Sequence, residues 1–424
     1  MGLPGFEPGT SWTQAKNINR VQTSLNENKR LETDRFGRQM DAKNAELARM
    51  DSAPTPRSII VQLRLPEGAM EITTNRVFRL MSSLPLLVVS AGLGWATDVT
   101  VGTATAQAGQ KATGFIRVAA GVDAATNIPV IVINGAKQGP KLAIVAGSHG
   151  TEYASIIALE NLVQTIEAAD LSGTLIVVPL INLASFAQKV PHLNPVDGKN
   201  MNRMFPGKAE GTQTERASWA IAREVVDKCD YLIDLHGGDL DENLRRYAYW
   251  PQTGKDQLDS ASRGMALAFG LDHIIIQRNQ APAVPGATSI SRFAEDQGKP
   301  TIIAEAGHAG TTDSADVEAL VRGCKNVMRH LKILGGVVTP VEHPVWIGQI
   351  TTVRSDHDGI FYPLVVPEAY VQRGMIVGYV TDYFGNKLAD VTTPISGVVT
   401  YICSVPSMKK GDTAANIGEI ASVP

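Results

Sequence analysis

Six short segments of this chain are almost purely apolar, at residues 130–133, 141–147, 174–181, 231–235, 273–276 and 301–304. A strand that is apolar on both of its alternating faces must be covered on both sides, because leaving one face in water would waste its burial. Between these segments lie stretches with helical periodicity, predicted at 154–169, 214–228, 289–296 and 313–334. The second of these opens on Thr212-Gln213-Thr214-Glu215, a capping-box spacing just ahead of Trp219, Ile221, Val225 and Val226. Strands and helices in this order predict an α/β fold, with helices on both faces of a sheet. The 424 residues allow one large domain with a smaller companion, and 44% hydrophobic residues suffice for a sizeable core.

The ends of the chain differ in texture. Residues 1–69 are charged and without sustained apolar period, and are expected to be disordered or a spurious extension. In residues 70–96, Met70 precedes a positive flank of Arg76 and Arg79, an apolar run and the small-residue stretch Gly94-Trp95-Ala96. That is the layout of a secretory signal peptide, too short for a membrane span. A periplasmic or secreted location follows if translation starts near Met70, and a cytoplasmic one otherwise. No stable membrane insertion is expected once such a signal is cleaved. After residue 338 the helical period stops and glycines punctuate short β-rich runs, which divides the chain into a larger α/β domain at 97–338 and a β-rich domain at 339–424.

Polar residues stand at the ends of the apolar strands. His149 and Glu152 follow the second, His236 the fourth and Glu305 the sixth. The carboxyl ends of strands are where open α/β sheets collect their ligands. Two imidazoles and a carboxylate form a zinc-type donor set with a vacant fourth position, and a further carboxylate can serve as base. His149-x-x-Glu152 is also what a helix start with a dipole-favoured glutamate looks like. Asp234 and His236, two apart on a strand, share a face, so Asp234 could orient the imidazole or both could simply close a turn. Glu305 at the end of an apolar strand needs a partner if buried, and otherwise lies in a surface turn. Residues 194–207 are rich in turn formers yet hold Asn200, Asn202 and Arg203, the last a planar fork suited to a carboxylate.

Other chemistries find no support. The net charge of -3 gives no reason to expect nucleic acid. Cys229, Cys324 and Cys403 are too few and too scattered for a disulfide framework or a cysteine zinc site. Ser148 lacks the first glycine of a nucleophile elbow, and no dinucleotide or Walker loop follows a strand. His192, His273, His330, His343 and His357 lack ligand spacing, whereas His308 is notable for its closeness to Glu305.

These segments together, from about residue 113 to the C-terminus, resemble the succinylglutamate desuccinylase/aspartoacylase branch of the zinc carboxypeptidase superfamily. The resemblance rests on Asn134-Gly135-Ala136, on Gly147-Ser148-His149-Gly150-Thr151-Glu152 and on Asp197 through Gly207. Asp234-Leu235-His236-Gly237-Gly238 and Glu305-Ala306-Gly307 complete it. It implies that His149, Glu152 and His236 hold one Zn2+ per chain, that Glu305 is the general base and acid, and that Asn202 and Arg203 grip a substrate carboxylate. It further implies a zinc-carboxypeptidase-like mixed sheet flanked by helices, followed by a small all-β domain like a lipoyl/biotinyl barrel. The nearest stretch to a carrier lysine, Met408-Lys409-Lys410-Gly411-Asp412, lacks the carrier context, so this domain is expected to be structural or to shape substrate access. The family's carbonyl-polarising arginine is missing from Gln188-Lys189-Val190-Pro191-His192, with Lys189, Arg245 and Arg246 as substitutes.

The reading is a zinc-dependent deacylase hydrolysing the amide of an N-acyl amino acid or similar small carboxylate-bearing amide. The alternative is a zinc carboxypeptidase acting on peptides or cell-wall stems, and a third reading is a silent binding module. The expected partner is a small molecule, not nucleic acid, and assembly into a homo-oligomer is left open.

Overall fold

The molecule is built around one long twisted sheet, seen here in a computed structural model that describes residues 97–278 and 288–424. The expected disordered segment and signal peptide lie outside the described residues. The first half runs β1 (Val99–Val101), β2 (Ala104–Ala106), β3 (Gln110–Val118), β4 (Thr126–Asn134), β5 (Lys137–Val145), α1 (Tyr153–Gln164), β6 (Ser172–Val178), α2 (Leu183–Gln188) and α3 (Gln213–Ile221). It continues with β7 (Tyr231–His236), β8 (Glu242–Leu244), β9 (Tyr247–Gln252), α4 (Asp256–Phe269), β10 (His273–Arg278), α5 (Ile290–Asp296), β11 (Thr301–Glu305) and α6 (Ser314–His330). The β-rich remainder is β12 (Val345–Arg354), β13 (Gly359–Pro363), β14 (Tyr370–Val371), β15 (Ile376–Thr381), β16 (Lys387–Thr392), β17 (Gly397–Cys403), β18 (Ser407–Met408) and β19 (Thr413–Ile420).

In the long sheet the order is β14-β17-β19-β12-β10-β9-β11-β7-β5-β6-β4-β3, with β8 against β17. The four central strands β6, β5, β7 and β11 are parallel, and β9 then enters antiparallel to β11. This is the α/β sheet that the apolar segments predicted, and it is mixed, as the resemblance implied. Strand alternation sorts the core into two layers. Leu142, Ile144, Ile233, Leu235, Ile302 and Ala304 face the layer covered by α1, α4 and α6. Ala143, Val145 and Leu232 face the opposite layer, covered by α3 and α5. The helix expected at 214–228 is one continuous rod that widens into a π turn over Ala222–Val226. Its start behaves as the capping-box spacing requires, with Glu215 accepting from the Thr212 amide at 3.0 Å.

A β-rich C-terminal region is present, but its strands do not all belong to a unit of their own. β12 pairs in parallel with β10, so β12, β19, β17 and β14 extend the long sheet. The other four strands form a separate sheet in the order β16-β15-β13-β18. Val353, Val399 and Ile417 from the first set and Phe361, Val377 and Val380 from the second share one core. Among the described residues no helix is long and apolar enough to cross a membrane.

Packing between α4 and α6 gives a testable consequence. Gly323 sits inside α6, where an added Cβ would lie 2.3 Å from the ring of Phe269, itself only 1% exposed. Alanine ordinarily gains about 1 kcal/mol over glycine in a helix. Here the overpacking cost of about 1–3 kcal/mol wins. Gly323→Ala is therefore expected to lower the urea midpoint, and an unchanged or higher midpoint would show that the Phe269 ring can yield.

Candidate metal centre

Strand register sets the site. His236 on β7, Glu305 on β11 and Tyr247 on β9 are direct neighbours across three strands, and Asp234, Ile303 and Tyr249 form the row behind them. Because side chains alternate, both rows point to the face opposite the α1/α4/α6 layer. The chain leaves β5 through Gly147 at φ +68°, a conformation that costs glycine little, and so turns His149 back over the sheet edge. Glu152 occupies the N-cap of α1 but makes no cap bond.

Its carboxylate is committed instead to the two imidazoles. Glu152 Oε1 lies 2.6 Å from His149 Nδ1, and Oε2 lies 2.9 Å from His236 Nδ1 and accepts from the Gly237 amide at 3.2 Å. The three side chains each present a donor atom, all within 4.8 Å of one another. The far nitrogens are held from behind. His149 Nε2 meets Asn200 Oδ1 at 3.2 Å, and His236 Nε2 lies between Asn202 Nδ2 at 3.1 Å and Asp234 Oδ1 at 3.3 Å.

The electrostatics suit a cation. Burial would discharge His236, but Asp234 and Glu152 outweigh it and push its pKa well above the usual value. Burial likewise opposes the charge on Glu152, yet His236 and His149 hold its carboxyl well below the usual range. Burial, reinforced by Glu152, Glu242 and Asp234 against the pull of His236, drives Glu305 well above the ordinary carboxylate range. The Asp234 carboxylate is fully buried, and among the described residues neither oxygen has an aligned hydrogen-bond donor. An imidazole bound to a metal through Nδ1 carries its proton on Nε2 and is a stronger donor to such a carboxylate. The donor set, the convergent Nδ1 atoms and the under-satisfied Asp234 therefore fit a divalent metal.

The site opens into a cavity of about 840 Å³. It gathers His149, Glu152, His236, Glu305, Asn202 and Arg203, all six residues singled out from the sequence. Asn202 is buried, its amide oxygen accepts from Ile290 N at 3.1 Å, and its Nδ2 lies 3.1 Å from His236 Nε2. Arg203 is exposed in the cavity wall, with Nη1 donating to the Asn202 carbonyl at 2.6 Å.

Two expectations need correction. His308 does not accompany Glu305: its ring lies 3.5 Å from both Asp313 and Asp316, and Asp316 is also paired with Arg246. The three substitutes for the missing arginine do not line the cavity either. Arg245 is bound to Asp272 at 2.8 Å, Arg246 to Asp316, and Lys189 ends α2. The cavity instead presents Arg278 and Arg292, together with His192, Glu242, Tyr247 and Tyr249. The tyrosines share one face of β9, a strand that is not among those predicted from the sequence. His192 carried no sequence signal either. It is placed by Asp239, which accepts from His192 N at 2.9 Å, and burial notwithstanding, its contacts with Asp241, Glu242 and Asp239 raise its pKa to about 9.

Residues 138–331 match the family model of the succinylglutamate desuccinylase/aspartoacylase catalytic domain. An N-alpha-acetyl-L-2,4-diaminobutyric acid deacetylase of Halomonas elongata is 28% identical over 304 residues, which cover 70% of this chain and 86% of that protein. The crystal structure of a succinylglutamate desuccinylase from Silicibacter sp. TM1040 is similar with a TM-score of 0.66 and 26% identity, over 73% of this chain and 95% of that one. The product-bound ectoine utilization protein EutE (DoeB) of Ruegeria pomeroyi is similar with a TM-score of 0.67 and 25% identity, again over 73% and 95%.

Proposed function

Residues 138–331 belong to the succinylglutamate desuccinylase/aspartoacylase family, and from that premise we propose that this chain is a zinc-dependent deacylase of N-acyl amino acids. The observation that carries the reading is the convergence of His149, Glu152 and His236 within 4.8 Å, with Glu305 beside His236 in strand register. The similarity to a deacetylase of an N-acetyl diamino acid supports the reaction class. His149, Glu152 and His236 would hold the metal. A bound zinc supplies Lewis acidity, which polarises a carbonyl and brings the pKa of water to about 7.

The chain's own groups supply the rest. Glu305, whose burial raises its proton affinity, accepts a proton from the attacking water. As the C–N bond breaks it returns that proton to the leaving nitrogen, so the products are a carboxylic acid and a free amine. Asp234 and Asn202 fix the His236 ring. Arg203 offers its guanidinium fork to the substrate carboxylate and so orients the amide relative to Glu305. The C-terminal β region, which contributes Tyr401 and Asn416 to the cavity, shapes access rather than carrying a lipoyl-type group.

Arg203→Ala is expected to reduce kcat/KM by about 10- to 100-fold, mostly through KM, because a charge-assisted bidentate contact is lost. Arg203→Lys should recover only part of it, since an ammonium cannot present the fork. Full activity in the alanine variant would move the carboxylate grip to Arg278 or Arg292. The reading as a whole is tested by hydrolysis of acetyl- and succinyl-amino acids with added zinc. Release of C-terminal residues from peptides in their place would make the chain a carboxypeptidase.

A further inference from the structure

Amide hydrolysis asks for more than a metal and a base. As water adds to the carbonyl carbon, the C=O electron pair moves onto oxygen, and a donor already aimed at that oxygen lowers the barrier. Lys189, Arg245 and Arg246 do not reach the cavity to supply one. Of the cationic side chains that line it, Arg203 gives Nη1 to the Asn202 carbonyl, Arg292 pairs with Asp296 at 2.8 Å, and Arg278 is exposed at the end of β10. His192 is placed differently. Its ring packs edge-on against that of the proposed ligand His149, with centroids 5.8 Å apart and planes at 79°.

A buried carboxylate holds this ring on one side and an exposed one meets it on the other. Asp239 is fully buried in the loop after β7. Its Oδ1 accepts from the Thr151 hydroxyl and from Leu240 N at 2.7 Å, and its Oδ2 accepts from His192 N at 2.9 Å and lies 3.2 Å from His192 Nδ1. Thr151 stands between His149 and Glu152, so Asp239 ties the ring to the turn that carries two of the proposed ligands. On the far side, Nε2 lies 3.2 Å from Asp241 Oδ1, and the Asp241 side chain is 40% exposed. Ionised carboxylates accept and do not donate, so the ring presents an N–H to each. Asp239 is fixed by its buried bonds, whereas Asp241 is free to turn to solvent. Its carboxylate thus marks a place for a negative oxygen on Nε2, in the cavity wall.

We infer that His192 is a catalytic residue whose Nε2–H takes the carbonyl oxygen of the scissile amide in place of Asp241, and that Asp239 is the residue that positions it. This deepens the deacylase reading and rests on it. No proton passes to the oxygen. The hydrogen bond strengthens as negative charge gathers there, and it relaxes as the C=O bond re-forms and the C–N electron pair leaves with nitrogen. That nitrogen takes its proton from Glu305, so the products remain a carboxylic acid and an amine.

His192→Ala should lower kcat on acetyl- and succinyl-amino acids by about 100- to 1,000-fold, the usual loss for one oxyanion donor, with KM little changed and zinc retained. His192→Arg, which keeps a charged donor, should recover about 10-fold of that loss. Affinity gives a second readout. An N-methylphosphonyl amino acid, an anionic tetrahedral mimic, should bind the zinc-loaded alanine variant about 100-fold more weakly than wild type, while the free amino acid binds both alike. Asp239→Asn alone should lower kcat by about 10-fold or more. Added to His192→Ala it should cost no more than about twofold, because residues that act as a unit are not additive. A merely structural role for Asp239 would lower kcat in both backgrounds. If the alanine variant fails to fold, His192→Asn, which suits the left-handed backbone at φ +57°, carries the same comparisons. A kcat within a few-fold of wild type, or equal loss of affinity for mimic and product, overturns the role of His192 and leaves the deacylase intact. A wild-type chain that cleaves no such amide sinks the deacylase reading by itself, and calorimetry with the mimic then decides. Weaker binding by the variant supports the oxyanion site, and equal or absent binding overturns it too.

Discussion

Glu305→Gln is expected to lower kcat by about 1,000-fold, within the usual range for a general acid–base group, while one metal per chain remains bound. The proposed ligands His149, Glu152 and His236 are other residues, and the substitution keeps the shape of the side chain. The variant should also be no less stable than the parent. Glu305 is buried with Glu152, Glu242 and Asp234 as like-charged neighbours, which together with desolvation disfavour its ionised form. A neutral amide removes that penalty. A chain that loses turnover without losing thermal stability separates a catalytic role from a structural one. Turnover within a few-fold of wild type would remove Glu305 as the base.

His236→Ala should do the opposite to the fold. The imidazole stands between Glu152 at 2.9 Å and Asp234 at 3.3 Å, both buried. Removing it leaves two carboxylates without their cationic neighbour, a class of change that costs about 3–5 kcal/mol. The donor set also falls below three, so zinc content should drop to a small fraction of one per chain and turnover to background. Metal analysis after purification without chelator and a thermal melt give both readouts. Asp234→Asn should be milder, with metal affinity reduced by about 10- to 100-fold and the ligand set intact. Unit zinc content in His236→Ala would exclude this residue as a ligand.

How much of this was legible beforehand differs from element to element. The central strands were visible because burial on both faces leaves no room for polar residues in Leu142–Val145 or Ile302–Ala304. Helix α4 was missed, although Leu258, Ser262, Met265 and Phe269 carry its buried period and Gly270 in the left-handed region ends it. Its many small and polar residues diluted the apolar stripe. Strand β9 was also missed. It is wedged antiparallel between β11 and parallel β10, and nothing local to residues 247–252 announces which neighbours it will take.

Taken alone, the sequence determined the α/β order and the identity of the polar residues at the strand ends, because alternation, burial and turn chemistry act over a few residues. Tertiary structure decided what those residues meet. Parallel register set His236 beside Glu305, the loop around Asp239 delivered His192, and β12 carried the C-terminal strands onto the main sheet so that Asn416 reached the cavity. Such meetings depend on which distant strands pair and in what register. That choice is made by packing summed over the whole core, and no short window of residues encodes it.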